Sequence, residues 1–258
     1  MDDGKYELVC NALSTVARAK TGIAGLDEAL EGGLLRNYVY SVIGPPGTGK
    51  TTLAAQFIFR GVTQYGENGV YASLEEPPHS IANNMMPFNW NLFDLESQGK
   101  LVLVDAAPFQ ERPGSELKIR GGVLGSEGFD LDGLLGVIAH ARKRVAAKRC
   151  VIDSLDSIGG VYKSESEYRF KLLQFFRALS ELELTTLVLT DTQTPNVERF
   201  GVETLLASGC FVLQNAPNKN AQFQTIGLQK IRGIKAPKRV IAYRITPDGV
   251  EVKLQEPT

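Results

Sequence analysis

Cysteine is scarce in this chain of 258 residues, occurring only at Cys10, Cys150 and Cys210. An odd number of widely spaced thiols supports neither a disulfide framework nor a zinc site. Cys150 and Cys210 each open an apolar, strand-like run, so reduced thiols in a core and a cytoplasmic location are expected. Histidine is scarcer still. His79 and His140 have no partner at metal-ligand spacing and are assigned no role. Net charge is almost nil, with 28 Lys and Arg against 29 Asp and Glu, which removes any global positive field for nucleic acid or an anionic membrane. No apolar run approaches the roughly 18 residues of a membrane span, and the start Met1-Asp2-Asp3-Gly4 lacks the basic and apolar stretches of a signal peptide. The lone tryptophan, Trp90, reads as a packing anchor rather than a base-stacking platform.

Apolar residues make up 43% of the chain, enough for a substantial core. Short β-branched runs predict strands at 38–43, 69–74, 101–105, 150–153, 185–190 and 210–214. Between several of them lie helical stripes: Leu53, Ala54, Phe57 and Ile58 within 50–60; Leu131, Leu134, Leu135, Ile138, Ala141 and Val145 within 131–147; Phe170, Leu173, Phe176 and Leu179 within 166–182. Alternation of this kind predicts an α/β fold with a mainly parallel central sheet flanked by helices. Further strands at 222–232, 239–245 and 250–254, with a Pro247-Asp248-Gly249 turn, predict a C-terminal antiparallel extension. Residues 107–129 hold five glycines and two prolines and predict a long, mobile surface loop. No repeat or second domain is evident, so residues 1–258 read as one domain with a short lead at 1–15.

The most informative run is Gly44-Pro45-Pro46-Gly47-Thr48-Gly49-Lys50-Thr51, followed by Thr52. Glycines at this spacing let the backbone turn several N–H groups inward, and the helix that follows adds its positive N-terminal end. Lys50 is then placed to reach the β and γ phosphates and Thr51 to ligate Mg2+. A strand before the run and a helix after it supply the context that this chemistry needs. The segment is expected to bind a nucleoside triphosphate.

Carboxylates at neighbouring strand ends extend that reading. Cys150-Val151-Ile152-Asp153-Ser154 is an apolar strand ending in an acid, the placement that holds magnesium beside a phosphate loop. Val70 to Leu74 ends in Glu75-Glu76 and then Pro77-Pro78, which stop regular structure. Adjacent carboxylates point different ways, so one of Glu75 and Glu76 is expected to activate water and the other to orient or tune it. Thr190 and Asp191 end another strand and are placed to sense the γ-phosphate through a hydrogen bond. From 204 to 247 no acidic residue occurs, while Lys219, Lys230, Arg232, Lys235, Lys238, Arg239 and Arg244 do. This is the one marked charge asymmetry.

Taken in order, Thr21-Gly22-Ile23-Ala24-Gly25-Leu26-Asp27, Gly32-Gly33-Leu34, the phosphate loop, Glu75-Glu76-Pro77, Val104-Asp105-Ala106, Phe129-Asp130-Leu131, Ile152-Asp153-Ser154, Arg199-Phe200-Gly201-Val202-Glu203 and Lys230-Ile231-Arg232-Gly233 resemble a KaiC domain, a branch of the RecA-like superfamily. The resemblance spans about residues 16 to 254. It implies a RecA-like P-loop fold, ATP and Mg2+ as ligands, and a homo-oligomeric ring, usually of six, with nucleotide in each interface. It also implies that Lys230 and Arg232 reach the γ-phosphate of the neighbouring subunit. Two cations at i and i+2 on a strand share a face, and cations stabilise a transferring phosphoryl group.

The chain carries one such domain where KaiC carries two, and it resembles the ATP-hydrolysing first half. The Ser-Thr acceptor pair of the self-phosphorylating half is replaced by Glu203-Thr204-Leu205, with one hydroxyl. The leading expectation is an oligomeric ATPase acting as a switch read by a partner protein. Alternatives are a recombinase-like DNA-binding ATPase, which the thin basic content of 214–226 disfavours, and an autokinase or low-turnover nucleotide switch.

Overall fold

The computed structural model describes residues 17–106, 130–191, 201–215, 224–235 and 239–253, together with the backbone of 117–119 and 122–124. Strands β1 (Arg18–Ala19) and β2 (Leu34–Leu35) pair antiparallel around a short helix α1 (Leu26–Ala29). The main sheet is built from β3 (Val39–Gly44), β4 (Gly69–Ser73), β5 (Leu101–Asp105), and, beyond the small ladder β6 (Leu117–Ile119) and β7 (Gly122–Leu124), β8 (Arg149–Asp153), β9 (Thr185–Asp191), β10 (Gly209–Gln214), β11 (Gln224–Ile231), β12 (Arg239–Thr246) and β13 (Gly249–Lys253). Its order is β13-β12-β11-β10-β3-β9-β8-β4-β5. The run from β10 to β5 is parallel throughout and the run from β10 to β13 antiparallel.

Parallel strands are buried on both faces, which is why they read as unbroken apolar runs. The two-residue period then sorts side chains into two layers. Tyr71, Val151 and Leu187 join the layer of α2 (Lys50–Tyr65), while Val70, Ala72, Cys150, Ile152 and Val188 pack under later helices on the other face. Around α2 gather α3 (Pro78–Met85) and α4 (Leu92–Ser97); the opposite layer holds α5 (Leu131–Val145), α6 (Asp156–Gly159), α7 (Glu165–Glu181) and α8 (Val202–Leu206).

Capping explains where the longer helices begin. Asp130 accepts from the Asp132 and Gly133 amides at 3.0 Å, and Ser164 accepts from Glu167 N at 3.2 Å. Arg142, Lys143 and Arg144 close α5 with charge suited to its negative end.

Two expectations shift. Pro77 and Pro78 end one element and open another: Pro77 is the N-cap of α3 and Pro78 its first residue, where a missing N–H costs nothing. The buried stripe of α7 is Tyr168, Leu172, Phe175, Phe176 and Leu179, leaving Phe170 61% exposed. Both phases share Phe176 and Leu179. Trp90 is fully packed, stacked on Phe59 and Phe88. The loop expected at 107–129 lies largely outside the described residues, as do 1–16, Cys10, Arg199 and most of the 214–226 segment. No described helix is long and apolar enough to cross a membrane.

Two buried polar clusters tie the layers together. Gln56 on α2 donates to Gly22 O at 3.2 Å and Val250 O at 3.3 Å and accepts from Val250 N at 2.7 Å. It pins the phosphate-loop helix to the N-terminal turn and to β13. Gln56→Ala strands these groups in a dry interior and is expected to cost about 2–3 kcal/mol, read as a lower urea midpoint at unchanged slope.

The second cluster centres on Arg149, which is 0% exposed. Its Nε and Nη2 lie 2.7 and 2.6 Å from Glu67 Oε2, its Nη1 donates to Phe57 O at 2.8 Å, and its guanidinium covers the Phe57 ring. Arg36 binds the other oxygen of Glu67. Burial lowers the Arg149 pKa, and the Glu67 carboxylate opposes that shift. Gly61 leaves the space, since a Cβ there would sit 2.4 Å from the Arg149 side chain.

Candidate nucleotide site

The C-terminal ends of β3, β4, β8 and β9 converge on one edge of the sheet, where open α/β folds bind ligands. β3 delivers Gly44, the loop runs through Pro45, Pro46, Gly47 and Thr48, and Gly49 caps α2 in the left-handed region at φ 81°. Gly47 also has positive φ, 80°, and a Cβ there would meet nothing within 4 Å. Lys50, Thr51 and Thr52 form the first turn of α2.

Lys50 turns back on its own loop. Its Nζ donates to Gly44 O at 2.9 Å and Pro45 O at 3.1 Å and pairs with Asp191 Oδ1 at 2.6 Å. Three oxygens surround the ammonium. Asp191, expected as a γ-phosphate sensor together with Thr190, is thus the lysine's partner at the end of β9.

Asp153 Oδ2 accepts from Thr51 Oγ1 at 3.0 Å and from the Tyr71 hydroxyl at 2.7 Å. Burial pushes the Asp153 carboxyl above the usual range; the two hydrogen bonds and Lys50 oppose this, and Glu75 adds to it. Tyr71 is raised well above the ordinary phenol by burial, then by Asp153, then by Glu76. A half-buried carboxylate beside a threonine hydroxyl fits a hard cation with oxygen ligands. Among the described residues no cluster of three or more acid, histidine or cysteine side chains could form a metal cage. Magnesium here would share its coordination with phosphate oxygens and water, its usual habit.

Glu75 and Glu76 are both exposed at the turn after β4. Ser73 Oγ donates to Glu76 O and Leu74 N donates to Asp153 O at 2.7 Å, fixing the turn against β8. Glu75 accepts from the Ser154 hydroxyl. The negative charge of Glu75 is felt by Asp153 and that of Glu76 by Tyr71.

Lys230 and Arg232 lie elsewhere. Lys230 pairs with Cys210, and Cys210 with Ser41, three residues before Gly44, which sets the lysine back by roughly 10 Å at strand rise. The opposite end of β11 touches the loop: Gln224 Nε2 donates to Gly47 O at 3.4 Å. Lys230 Nζ donates to Leu205 O at 2.9 Å; burial lowers its pKa, and Arg232 lowers it further. Arg232 falls one residue beyond the strand, in a turn closed by Gly233 at φ 81°. Neither cation is brought to its own phosphate loop.

Several residues around the loop escape sequence reasoning. Tyr243 donates to Thr48 O, and Ile245 lies against Gly49, so the C-terminal strands buttress the cradle. Tyr71 looks like core in an apolar strand. Asp156 accepts from Ser154 Oγ at 2.9 Å and from Asp191 N at 2.7 Å. A groove of about 610 Å³ at the far end of α2 is separate from this constellation; its lining groups Asp27, Gln56 and Glu251 are bonded within the chain.

Residues 19–257 match the family described as "ATPase: KaiC". The circadian clock oscillator protein KaiC of Synechococcus elongatus is 32% identical over 239 residues, 92% of this chain and 44% of that protein. KaiC of a Nostoc species matches to the same extent. The chain therefore spans less than half the length of these relatives. Among solved structures, a KaiC-like protein from the hyperthermophilic archaeon Pyrococcus horikoshii superimposes with a TM-score of 0.78 at 32% identity, over 93% of this chain and 100% of that one. Fold, phosphate loop and family match agree: the chain belongs to the KaiC family of ATPases.

Proposed function

We propose that this chain hydrolyses ATP with Mg2+ in a cytoplasmic homo-oligomer, a hexameric ring, and that turnover sets a conformational state read by a partner protein. Gly44, Pro45, Gly47, Thr48, Gly49, Lys50, Thr51 and Thr52 hold the phosphates. Thr51 and Asp153 hold the ion, which neutralises phosphate charge when bound. Glu75 or Glu76 orients and deprotonates water, and Lys230 with Arg232 completes the neighbour's site. The observation that carries this reading is the separation of the two cations from their own loop while the other groups gather around it. A pocket assembled from one protomer alone would lack these two further cations to offset charge on the transferring phosphoryl group.

Exposed Leu205, at 56%, lies beside Lys230 and gives that surface an apolar component suited to a second copy. Self-phosphorylation at Thr204 is disfavoured, because that residue is 6% exposed and its hydroxyl faces Ser41 at 3.5 Å. The circadian role belongs to the named relatives and is not carried over.

Arg232→Ala is expected to lower ATP turnover by about a hundredfold with binding retained. Mixed with Glu76→Gln, it should regain activity, because some interfaces then pair an intact Glu76 with an intact Arg232. Turnover of the mixture equal to the sum of the two separate variants removes the shared-site assignment. Solution mass with and without ATP, measured on the same samples, tests the ring.

A further inference from the structure

A serine hydroxyl carries one hydrogen, and Ser154 has two carboxylates to give it to. Glu75 Oε1 lies on one side and Asp156 Oδ2, at 2.9 Å, on the other. Whichever acid does not receive the hydrogen faces the oxygen's lone pairs and is repelled. The two acids are not equally free to move. Asp156 opens α6 and its Oδ2 is fixed by the Asp191 amide at 2.7 Å, so it is tied to the end of β9. Glu75 stands on an exposed turn at the end of a longer side chain.

We propose that Asp156 is a positioning residue for Glu75: by competing for the Ser154 hydrogen, it frees the glutamate to turn toward the nucleotide. With the hydrogen on Asp156, Glu75 is pushed off Ser154 and faces the phosphate loop. With the hydrogen on Glu75, that carboxylate is held against β8, away from any attacking water. The same Asp191 whose amide fixes Asp156 pairs through its side chain with Lys50 at 2.6 Å, so the competing acid sits one residue's width from the lysine that meets phosphate. This role rests on the ATP-hydrolysing reading above and adds a residue that the phosphate-loop pattern does not contain.

The test is steady-state ATP turnover and equilibrium ATP affinity for the wild type, D156A, D156N, S154A and S154A/D156A. D156A leaves Glu75 as the sole acceptor, and kcat is expected to fall by about ten- to a hundredfold, the upper end being the cost of a reacting group misplaced by about 1 Å, with ATP affinity within about twofold of wild type. D156N keeps an oxygen acceptor and should recover at least about a third of the lost rate. In the S154A background the D156A change should have no further effect, because the hydrogen in contention is gone. An unchanged kcat in D156A, a D156N variant as slow as D156A, an undiminished D156A effect without Ser154, or a parallel loss of ATP affinity each overturns the proposal. A wild-type chain without turnover overturns the ATPase reading and this role together, whereas an active wild type with an unaffected D156A overturns this role alone.

Discussion

Lys50→Ala abolishes ATP binding at concentrations that saturate the wild type, by our expectation of at least a hundredfold loss in affinity. A charge-assisted bond from an ammonium to phosphate contributes on the order of 1.5–3 kcal/mol, and this lysine is placed to make more than one. Its Nζ already gathers Gly44 O, Pro45 O and Asp191 Oδ1, so the chain is pre-organised to hold a cation at that point. Alanine removes the cation and leaves the two carbonyls and Asp191 without it, adding uncompensated negative charge to lost attraction. The readout is the ATP-induced rise in melting temperature, which follows RT ln(1 + [L]/Kd): present in the wild type, absent in the variant. A variant that binds ATP normally would refute the assignment of the loop.

Glu67→Ala is the largest stability effect expected. It leaves Arg149, fully buried, with only Phe57 O and two aromatic faces for company, and strips Arg36 of its partner. Breaking one side of a buried ion pair costs about 3–5 kcal/mol, because an uncompensated charge remains in the interior. Replacing Arg149 and Glu67 together with apolar residues of similar volume should cost far less, since no charge is then left unpaired. Urea denaturation of the single and double variants distinguishes a true pair from two independent cavity effects, which would add. Nucleotide affinity should survive in whatever fraction folds, as the cluster sits at the opposite end of β8 from Asp153.

Much of this architecture is legible in the sequence because the physics behind it is local. A strand buried on both faces has to be apolar along its whole length, so β3, β4, β5, β8, β9 and β10 lie within a residue or so of their expected bounds. The phosphate loop is legible for a related reason: its backbone demands glycine at fixed spacing, and Gly47 and Gly49 take the positive φ that this requires. Asp153 is legible as the acid at a strand end, and the fold brings Thr51 to it at 3.0 Å.

What is not legible depends on partners far apart in the chain. Tyr71 reads as core until its hydroxyl is seen to meet Asp153, 82 residues away. Tyr243 meets Thr48 across 195 residues. The pairing of Lys50 with Asp191 follows only from β9 lying next to β3 in the sheet. Ser154 could be read as a motif residue, but its two competing acids come from different turns, and no pattern along the chain announces that they meet. Helix α3 is hidden by two prolines that look like a stop and act as a start.

The buttressing of the loop by Tyr243, Gln224 and Ile245 has a consequence for the newborn protein. Residues 44 to 51 leave the ribosome early, yet the strands that brace them arrive about 180 residues afterwards, many seconds later at ordinary rates of synthesis. A half-made polypeptide owns the glycines and the lysine without the walls that hold them in shape. Grip on nucleotide therefore waits until the strands through Ile245 have been made.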